Sequence, residues 1–452
     1  MQQSAADVDE RSELRSSALD LLNETIARAV RDCPYYAESF RDVGVRIDTV
    51  SDLHRFPILQ RETVVRRGVD LLARGGRPVT VGMTGGTTLG DGAASGPLLF
   101  FKSADEVAVK HHLLTALAEP LCPRPLLLHL VNLGHGLDPN GAIEGCFQVP
   151  LERSHHVKTV LSLLRGSFSF DGFTPRVTVL AGALRLLKAL TVLCAEEGIE
   201  GQEFATAVVA SSSNHLTTRW RTLLETYWQA EVEDFYGMSE VPGLHARRCD
   251  TCGHLHCSAA VVTEVLAIDR DLPVVLGVGR LIATSLYPLA AMQPMIRYDT
   301  GDLVEVFEGC PASEAQTFEF VGRRSHTIIL PSSSLATIAL PPVLINDVLD
   351  AFPDVAVTQF TFAQQLGIKT PIGFLKWGLR WVPTTNCRTL ELSVELRWPP
   401  TQFPAASDTL RDRIRSGVLE RSAALAELVE ANHLDFVVTL REPGTTRLVA
   451  AV

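Results

Sequence analysis

Apolar residues recur at helical spacing from Leu14 to Val30, and that spacing predicts an amphipathic helix. Between Pro125 and Leu289 short apolar runs alternate with helical patterns. Arg176 to Leu180 reads as a buried strand and Leu184 to Glu197 as the helix after it. Thr206 to Ala210 is a second strand, Leu216 to Trp228 a second helix, and Glu231 to Phe235 a third strand. Strands and helices in alternation imply a largely parallel sheet covered by helices. Open sheets of this kind place ligands beyond the carboxyl ends of their strands, so the residues after Phe235 become a candidate site.

The texture changes after Gly322-Arg323. Pro342 to Ala351 suggests a short helix and Asp354 to Phe362 a strand. Leu390, Leu392, Val394, Leu396 and Trp398 alternate with mostly polar residues, the period-two pattern of a half-buried strand. Ser407 to Asn432 reads as one long helix and Phe436 to Leu440 as a last strand. The pattern as a whole predicts an α/β protein in two parts. Residues 1–322 form a large domain with mainly parallel sheet covered by helices, and residues 323–452 a small α+β domain. The hinge is expected near Gly322 to His326. No internal repeat or low-complexity tract is present.

Composition narrows the class. The chain has 452 residues, 46% hydrophobic and 21% charged, the balance of an ordinary globular enzyme with room for two or three cores. A net charge of -11 argues against nucleic acid or an anionic membrane as the main partner. Met1 to Arg11 is polar and acidic, unlike a signal peptide, and no apolar run approaches a membrane span. Three of the nine cysteines crowd into Cys249 to Cys257, which fits a reducing compartment and a metal site better than a disulfide framework. A cytoplasmic location is the expectation.

The chemistry enters with three segments. Thr84-Gly85-Gly86-Thr87-Thr88 offers backbone N–H groups and hydroxyls together, suited to phosphate oxygens. Tyr236-Gly237-Met238-Ser239-Glu240 follows the third predicted strand, and Arg297-Tyr298-Asp299-Thr300-Gly301-Asp302-Leu303 comes later. In this order the three resemble the acyl-adenylate-forming (ANL) superfamily, whose members activate carboxylic acids with ATP. Cys33-Pro34-Tyr35-Tyr36, Gly44-Val45, Ser51-Asp52-Leu53 and Phe56-Pro57-Ile58 resemble its phenylacetate–CoA ligase-like branch. The resemblance runs from about Pro34 to Phe352 and grows faint beyond.

The resemblance implies roles residue by residue. Thr84, Gly85, Gly86, Thr87 and Thr88 would form the phosphate loop, with Thr88 among the catalytic groups. Glu240 matches the magnesium-binding acid. Tyr236, with Gly237, Met238 and Ser239, would lie against adenine. Asp302 matches the acid that accepts both ribose hydroxyls, a task suited to a carboxylate's two oxygens. Arg323 matches a hinge-region arginine that reaches ribose or phosphate. Ser211, Ser212 and Ser213 stand where relatives bring a Gly-rich segment against the nucleotide. His135 and Gly136 stand where relatives line the acyl pocket, together with Tyr236.

Cys249-x2-Cys252-x4-Cys257, with histidines close by, has the density of a structural zinc site, in an insertion spanning about residues 245–257. Three thiolates and His245 would close a tetrahedron, with His254 or His256 as alternative fourth ligands. Such a closed site is structural, which argues against a zinc-dependent hydrolase.

Departures from the family pattern sharpen the question. Position 85 is Gly where the family has Ser, position 89 is Leu where it has Gly, and Ser325 and His326 replace acids at the hinge. Adenylating relatives carry a lysine near the C-terminus; this chain has none after Lys376, and Arg447 is the cation nearest the expected position. The leading expectation is ATP- and magnesium-dependent activation of a small, aromatic carboxylic acid as its acyl-adenylate. The acyl group then passes to coenzyme A or to a carrier protein's phosphopantetheine. A homodimer is left open. The alternative is a degenerate relative that binds nucleotide or acyl group without adenylating.

Overall fold

The computed structural model describes residues 5–83, 98–108, 124–131, 144–311, 316–330, 338–382 and 388–445. Helix α1 (Ala5–Asp32) contains the predicted amphipathic stretch and is followed by α2 (Pro34–Ser39), with Pro34 in the first turn where its missing N–H costs nothing. After α3 (Arg61–Arg67), β1 (Pro78–Met83) and β2 (Leu99–Ser103) form a separate antiparallel pair. Then come β3 (Leu126–Val131), β4 (Cys146–Pro150), α4 (Ser154–Arg165), β5 (Val177–Ala183), α5 (Leu184–Glu196), β6 (Val208–Ser212), α6 (Thr218–Trp228) and β7 (Glu231–Gly237). These segments contain the expected strands and helices, with ends shifted by up to three residues. Helix α6 starts where Thr217 accepts the Trp220 N–H at 3.4 Å, and it stops where Gln229 turns left-handed at φ 49°.

Strands β4, β3, β5, β6 and β7 lie side by side and all run parallel. Helices α4, α5 and α6 cover them, burying Leu128, Leu180, Leu187, Leu190, Leu224 and Trp228 in one large core. Antiparallel strands then extend the sheet in a way the apolar pattern does not predict. They are β8 (His245–Arg248), β9 (Leu255–Cys257), β10 (Val261–Leu266), β11 (Gly277–Ser285), β12 (Tyr298–Val306) and β13 (Thr317–Arg323). The whole is one eleven-stranded sheet in the order β10-β11-β12-β13-β9-β8-β7-β6-β5-β3-β4. Its two halves meet at a narrow seam. There β7 pairs with β8 only at Tyr236↔Ala246 and Gly237↔His245, and β9 pairs with β13 only at Thr317↔His256 and Phe318↔Leu255.

The C-terminal part begins with the pair β14 (Ile328–Leu330) and β15 (Ile338–Leu340), then α7 (Pro342–Asp350). The strand expected over Asp354 to Phe362 is shorter: β16 (Val357–Gln359) gives way to the short helix α8 (Thr361–Gln365), and β17 (Gly373–Leu375) pairs with β16. Strands β18 (Trp377–Val382) and β19 (Arg388–Glu395) are antiparallel. The expected long helix is two, α9 (Pro404–Arg421) and α10 (Ala423–Glu430), because Ser422 leaves helical geometry at φ -126° and caps Leu425 N–H at 3.4 Å. Strand β20 (Leu434–Arg441) closes a three-stranded sheet parallel to β19.

Two sets of contacts tie this part to the large core. Phe360, Ala363, Ile368 and Ile372 are buried among the side chains of α5 and α6. Asp347 accepts the Thr218 N–H at 2.9 Å, a carboxylate at the first turn of α6, and Glu196 accepts the Thr370 N–H at 2.6 Å. The other C-terminal apolar residues, including Ile345, Trp377, Leu392, Ile414 and Phe436, form their own core. Among the described residues no helix is long and apolar enough to cross a membrane.

Leu180 lies mid-strand in β5 with no exposed surface. Leu180→Ala should lower stability by about 2–5 kcal/mol. Val437→Ala, on an exposed position of β20, should change it by less than about 0.5 kcal/mol. Urea midpoints of the two variants check this, and equal shifts would mean the parallel half is not the rigid part of the molecule.

Candidate nucleotide site

Strand β7 ends in the Tyr236 segment, β12 carries Asp302 and β13 carries Arg323. The β12–β13 register sets Asp302 directly opposite Arg323. Their side chains meet, with Arg323 Nη1 at 3.0 Å from Asp302 Oδ1, and Arg323 also donates to Thr300 O at 2.9 Å. From across the seam the Tyr236 hydroxyl donates to Asp302 Oδ2 at 2.7 Å. The Tyr236 ring rests on Phe318 and Phe320, at centroid distances of 5.9 and 5.6 Å. Gly237 is required where it stands, since an added Cβ would lie 2.7 Å from Leu244 O.

An irregularity within β12, where its register with β11 shifts between Asp299 and Leu303, explains how Asp302 is aimed. Gly301 takes φ +74°, and its N–H donates to Asp299 Oδ1 at 3.0 Å. The Thr300 hydroxyl accepts the Asp302 N–H at 3.1 Å. Asp299 is itself held by Arg280 and Arg324, at 3.4 and 2.9 Å. Each buried carboxylate therefore has a guanidinium beside it, the condition under which buried charge is tolerable.

Glu240 is only 8% exposed and faces Arg61 Nη1 at 3.7 Å. Arg61 reaches it because the preceding segment is laced along β12. Leu59 N–H donates to Arg297 O and Asp299 N–H to Leu59 O, at 2.9 and 3.0 Å. Burial raises the Glu240 and Asp302 carboxyls above their ordinary range, and the neighbouring Arg323 charge pulls both partly back. Burial and then the charge of Asp302 hold the Tyr236 phenol protonated, hence a donor. Burial and then the charge of Glu240 do the same for Tyr298.

No protein-family model and no curated protein matches the sequence. Solved structures do match. One is 2-hydroxyisobutyryl-CoA ligase in the postadenylation state with 2-HIB-AMP, at TM-score 0.67 and 16% identity, covering 97% of this chain and 88% of that one. An open conformation of that ligase with 2-HIB-AMP and CoA matches at 0.67 and 15%, over 97% and 90%. ATP-bound MatB from Rhodopseudomonas palustris matches at 0.52 and 15%, over 82% and 65%. This chain has the fold of the acyl-adenylate-forming ligases.

On the adenylate-forming fold, four of the expected residues converge. Tyr236, Glu240, Asp302 and Arg323 lie together, and Ser212 at the end of β6 pairs with Phe235 next to Tyr236. Ser211 is fully buried and Ser213 takes φ 74°. Met238 packs on the neighbouring apolar cluster, and Ser239 is exposed. Thr84, Gly85, Gly86, Thr87, Thr88, His135, Gly136 and Arg447 lie outside the described residues. The residues present suit an adenosine: Asp302 Oδ1 is buried beside Arg323 at 3.0 Å without an aligned hydrogen bond, so it keeps acceptor capacity for a ribose hydroxyl. Glu240 suits a hard cation as a single carboxylate, with phosphate and water supplying the other oxygens. Arg61 is not indicated by any sequence motif, and Tyr298 stands in the Arg297–Leu303 segment without a role assigned to it from sequence. Only the nearness of Arg61 to the Phe56-Pro57-Ile58 segment hints at it.

The cysteine cluster differs from the expected set. Cys249, Cys252, His256 and Cys310 place their ligand atoms within 4.8 Å of one another. Cys257 is excluded because it follows His256 on β9, so the two side chains point to opposite faces. It packs on apolar neighbours, and burial pushes its thiol up to about 12. The His245 ring lies instead against Gly237, whose Cβ position would be 3.2 Å from its Nδ1. His254 stacks on Phe307 at 4.1 Å and has its Nδ1 at 3.2 Å from Glu319.

Because burial raises their pKa values, Glu240 and Asp302 should take up protons as pH falls before exposed carboxyls do. Infrared titration of the carboxyl bands against Glu240→Gln and Asp302→Asn reads this. Titration in the ordinary range would mean that water reaches both groups freely.

Proposed function

We propose that this chain is an ATP- and magnesium-dependent acid–thiol ligase. A small carboxylic acid, with an aryl acid as first candidate, attacks the α-phosphate of ATP; an acyl-adenylate forms and pyrophosphate leaves. A thiol of coenzyme A or of a carrier protein's phosphopantetheine then attacks the acyl carbonyl, and AMP leaves. The observation that carries this reading is the meeting of Tyr236, Glu240, Asp302 and Arg323 across the seam of the sheet. The aryl preference rests on the phenylacetate–CoA ligase-like pattern before residue 60.

In this reading each residue has one task. Asp302 accepts from the ribose hydroxyls, with Tyr236 and Arg323 fixing its carboxylate. Tyr236 also offers a flat aromatic wall for the adenine. Arg323 is 37% exposed along its side chain, so it can turn from Asp302 toward a phosphate or ribose oxygen. Magnesium held by Glu240 would offset charge on the phosphates. Arg61, already beside Glu240, brings a second cation to the same place. Rotation of residues 323–452 about Gly322 to His326 between the half-reactions belongs to this reading. It requires Phe360, Ala363, Ile368 and Ile372 to leave the large core.

A second reading is favoured by one fact. No lysine follows Lys376, and Lys376 is itself committed to Glu395 at 2.7 Å. A chain that binds nucleotide without adenylating would fit that loss. Pyrophosphate release with ATP, magnesium and a panel of aryl and short-chain acids, with and without coenzyme A, separates the two. The ligase reading predicts release with at least one acid, and a loss of about 10²–10³ in rate on Glu240→Gln. It also predicts a rate that falls on acidification as the raised Glu240 and Asp302 carboxyls become protonated. ATP binding without release for any acid would establish the second reading.

A further inference from the structure

Cys249, Cys252, His256 and Cys310 come from three places: the turn between β8 and β9, strand β9 itself, and the connection from β12 to β13. The Sγ atoms of Cys249 and Cys310 are 3.8 Å apart, and Cys252 Sγ lies 3.2 Å from His256 Nε2. A tetrahedral zinc with Zn–S bonds of about 2.3 Å has S···S edges of about 3.8 Å and S···N edges of about 3.5 Å. A disulfide would need about 2.05 Å, and none of the described cysteines is in one. We infer that these four residues bind one zinc ion, and that the ion staples the seam of the eleven-stranded sheet.

The donor set selects the metal. Three thiolates and one imidazole suit zinc, and they fill all four positions, leaving none for substrate. Binding replaces the three thiol protons, which go to solvent. The turn is already shaped for it. Gly253 takes φ +74° and its N–H donates to Cys249 O at 2.8 Å, while the Thr251 N–H donates to Cys249 Sγ at 3.4 Å. Arg248 and His254 are both engaged by Glu319 of β13, so the same turn is also pinned by charge.

The place matters as much as the chemistry. Strand β9 has three residues and only two register pairs with β13, as few as β7 makes with β8, so the link between the motif on β7 and those on β12 and β13 is thin. Cys310 lies beyond the far end of β12 from Asp302, and His256 sits opposite Thr317 on β13. An ion held by Cys310 and His256 therefore joins the β12–β13 connection to the β8–β9 hairpin directly. It does so where few backbone hydrogen bonds can.

Zinc analysis of the full-length chain, purified under reducing conditions, tests the inference without reference to ligase activity. One zinc per chain is expected in the wild type and in Cys257→Ser, with loss in Cys310→Ser and His256→Ala. Chelator should lower the thermal midpoint of the wild type, and added zinc should restore it. Because the variants can fail to fold, cobalt(II) titration of chelated wild type serves as the second readout, and it should give the visible bands of tetrahedral cobalt thiolate. A wild type without zinc that shows no such bands would overturn the site, as would a Cys249–Cys310 disulfide found by mass spectrometry under these conditions. Zinc kept by Cys310→Ser and lost from Cys257→Ser would overturn the ligand set.

Discussion

Asp302 is a carboxylate with 3% of its surface exposed, and much of the antiparallel half of the sheet can be understood as what makes that burial tolerable. An isolated buried charge costs several kcal/mol. Here the cost is offset by the Arg323 guanidinium across the β12–β13 register and by the Tyr236 hydroxyl from β7. The arrangement repeats three residues earlier on β12, where Asp299 is held by Arg280 and Arg324. A slip of one residue in that register would turn these side chains to the opposite face and leave the charges unpaired. Register is therefore specified by electrostatics as well as by the apolar contacts of Val304 and Phe318 beneath.

The same constraint explains why the seam needs reinforcement. Tyr236 lies on one side of it and Asp302 and Arg323 on the other, so the 2.7 Å Tyr236–Asp302 contact depends on strands of three and four residues. Such short ladders hold little by themselves. The cysteine–histidine cluster, the Arg248–Glu319 pair and the stacking of His254 on Phe307 all fall at this place. The cysteine–histidine cluster and the candidate site are thus neighbours across the same short strands.

How much of this could be read from the chain depended on the range of the interaction. The parallel strands were legible because β5 and β6 are short apolar runs bounded by helices with clear periodicity. Strands β8 to β13 were not, since residues such as Arg280, Arg297 and Asp299 are buried there through pairing that no local pattern encodes. Tyr236, Glu240, Asp302 and Arg323 were legible as motif positions. Arg61 was not, because its partner Glu240 is reached only through the lacing of Leu59 onto β12. In the cysteine cluster, counting along the chain favoured Cys257, whereas strand alternation selects His256 and folding brings in Cys310. The one long helix expected near the C-terminus was broken by a local competitor, the Ser422 hydroxyl.

The central claim is that Asp302, fixed by Tyr236 and Arg323, anchors a nucleotide. Calorimetric titration of magnesium–ATP into the wild type and into Asp302→Ala tests it most directly. The account predicts saturable one-site binding by the wild type, weakened by about ten- to a hundredfold in the variant through loss of hydrogen bonds to a charged acceptor. No binding by the wild type, or equal affinity in the two proteins, would contradict it.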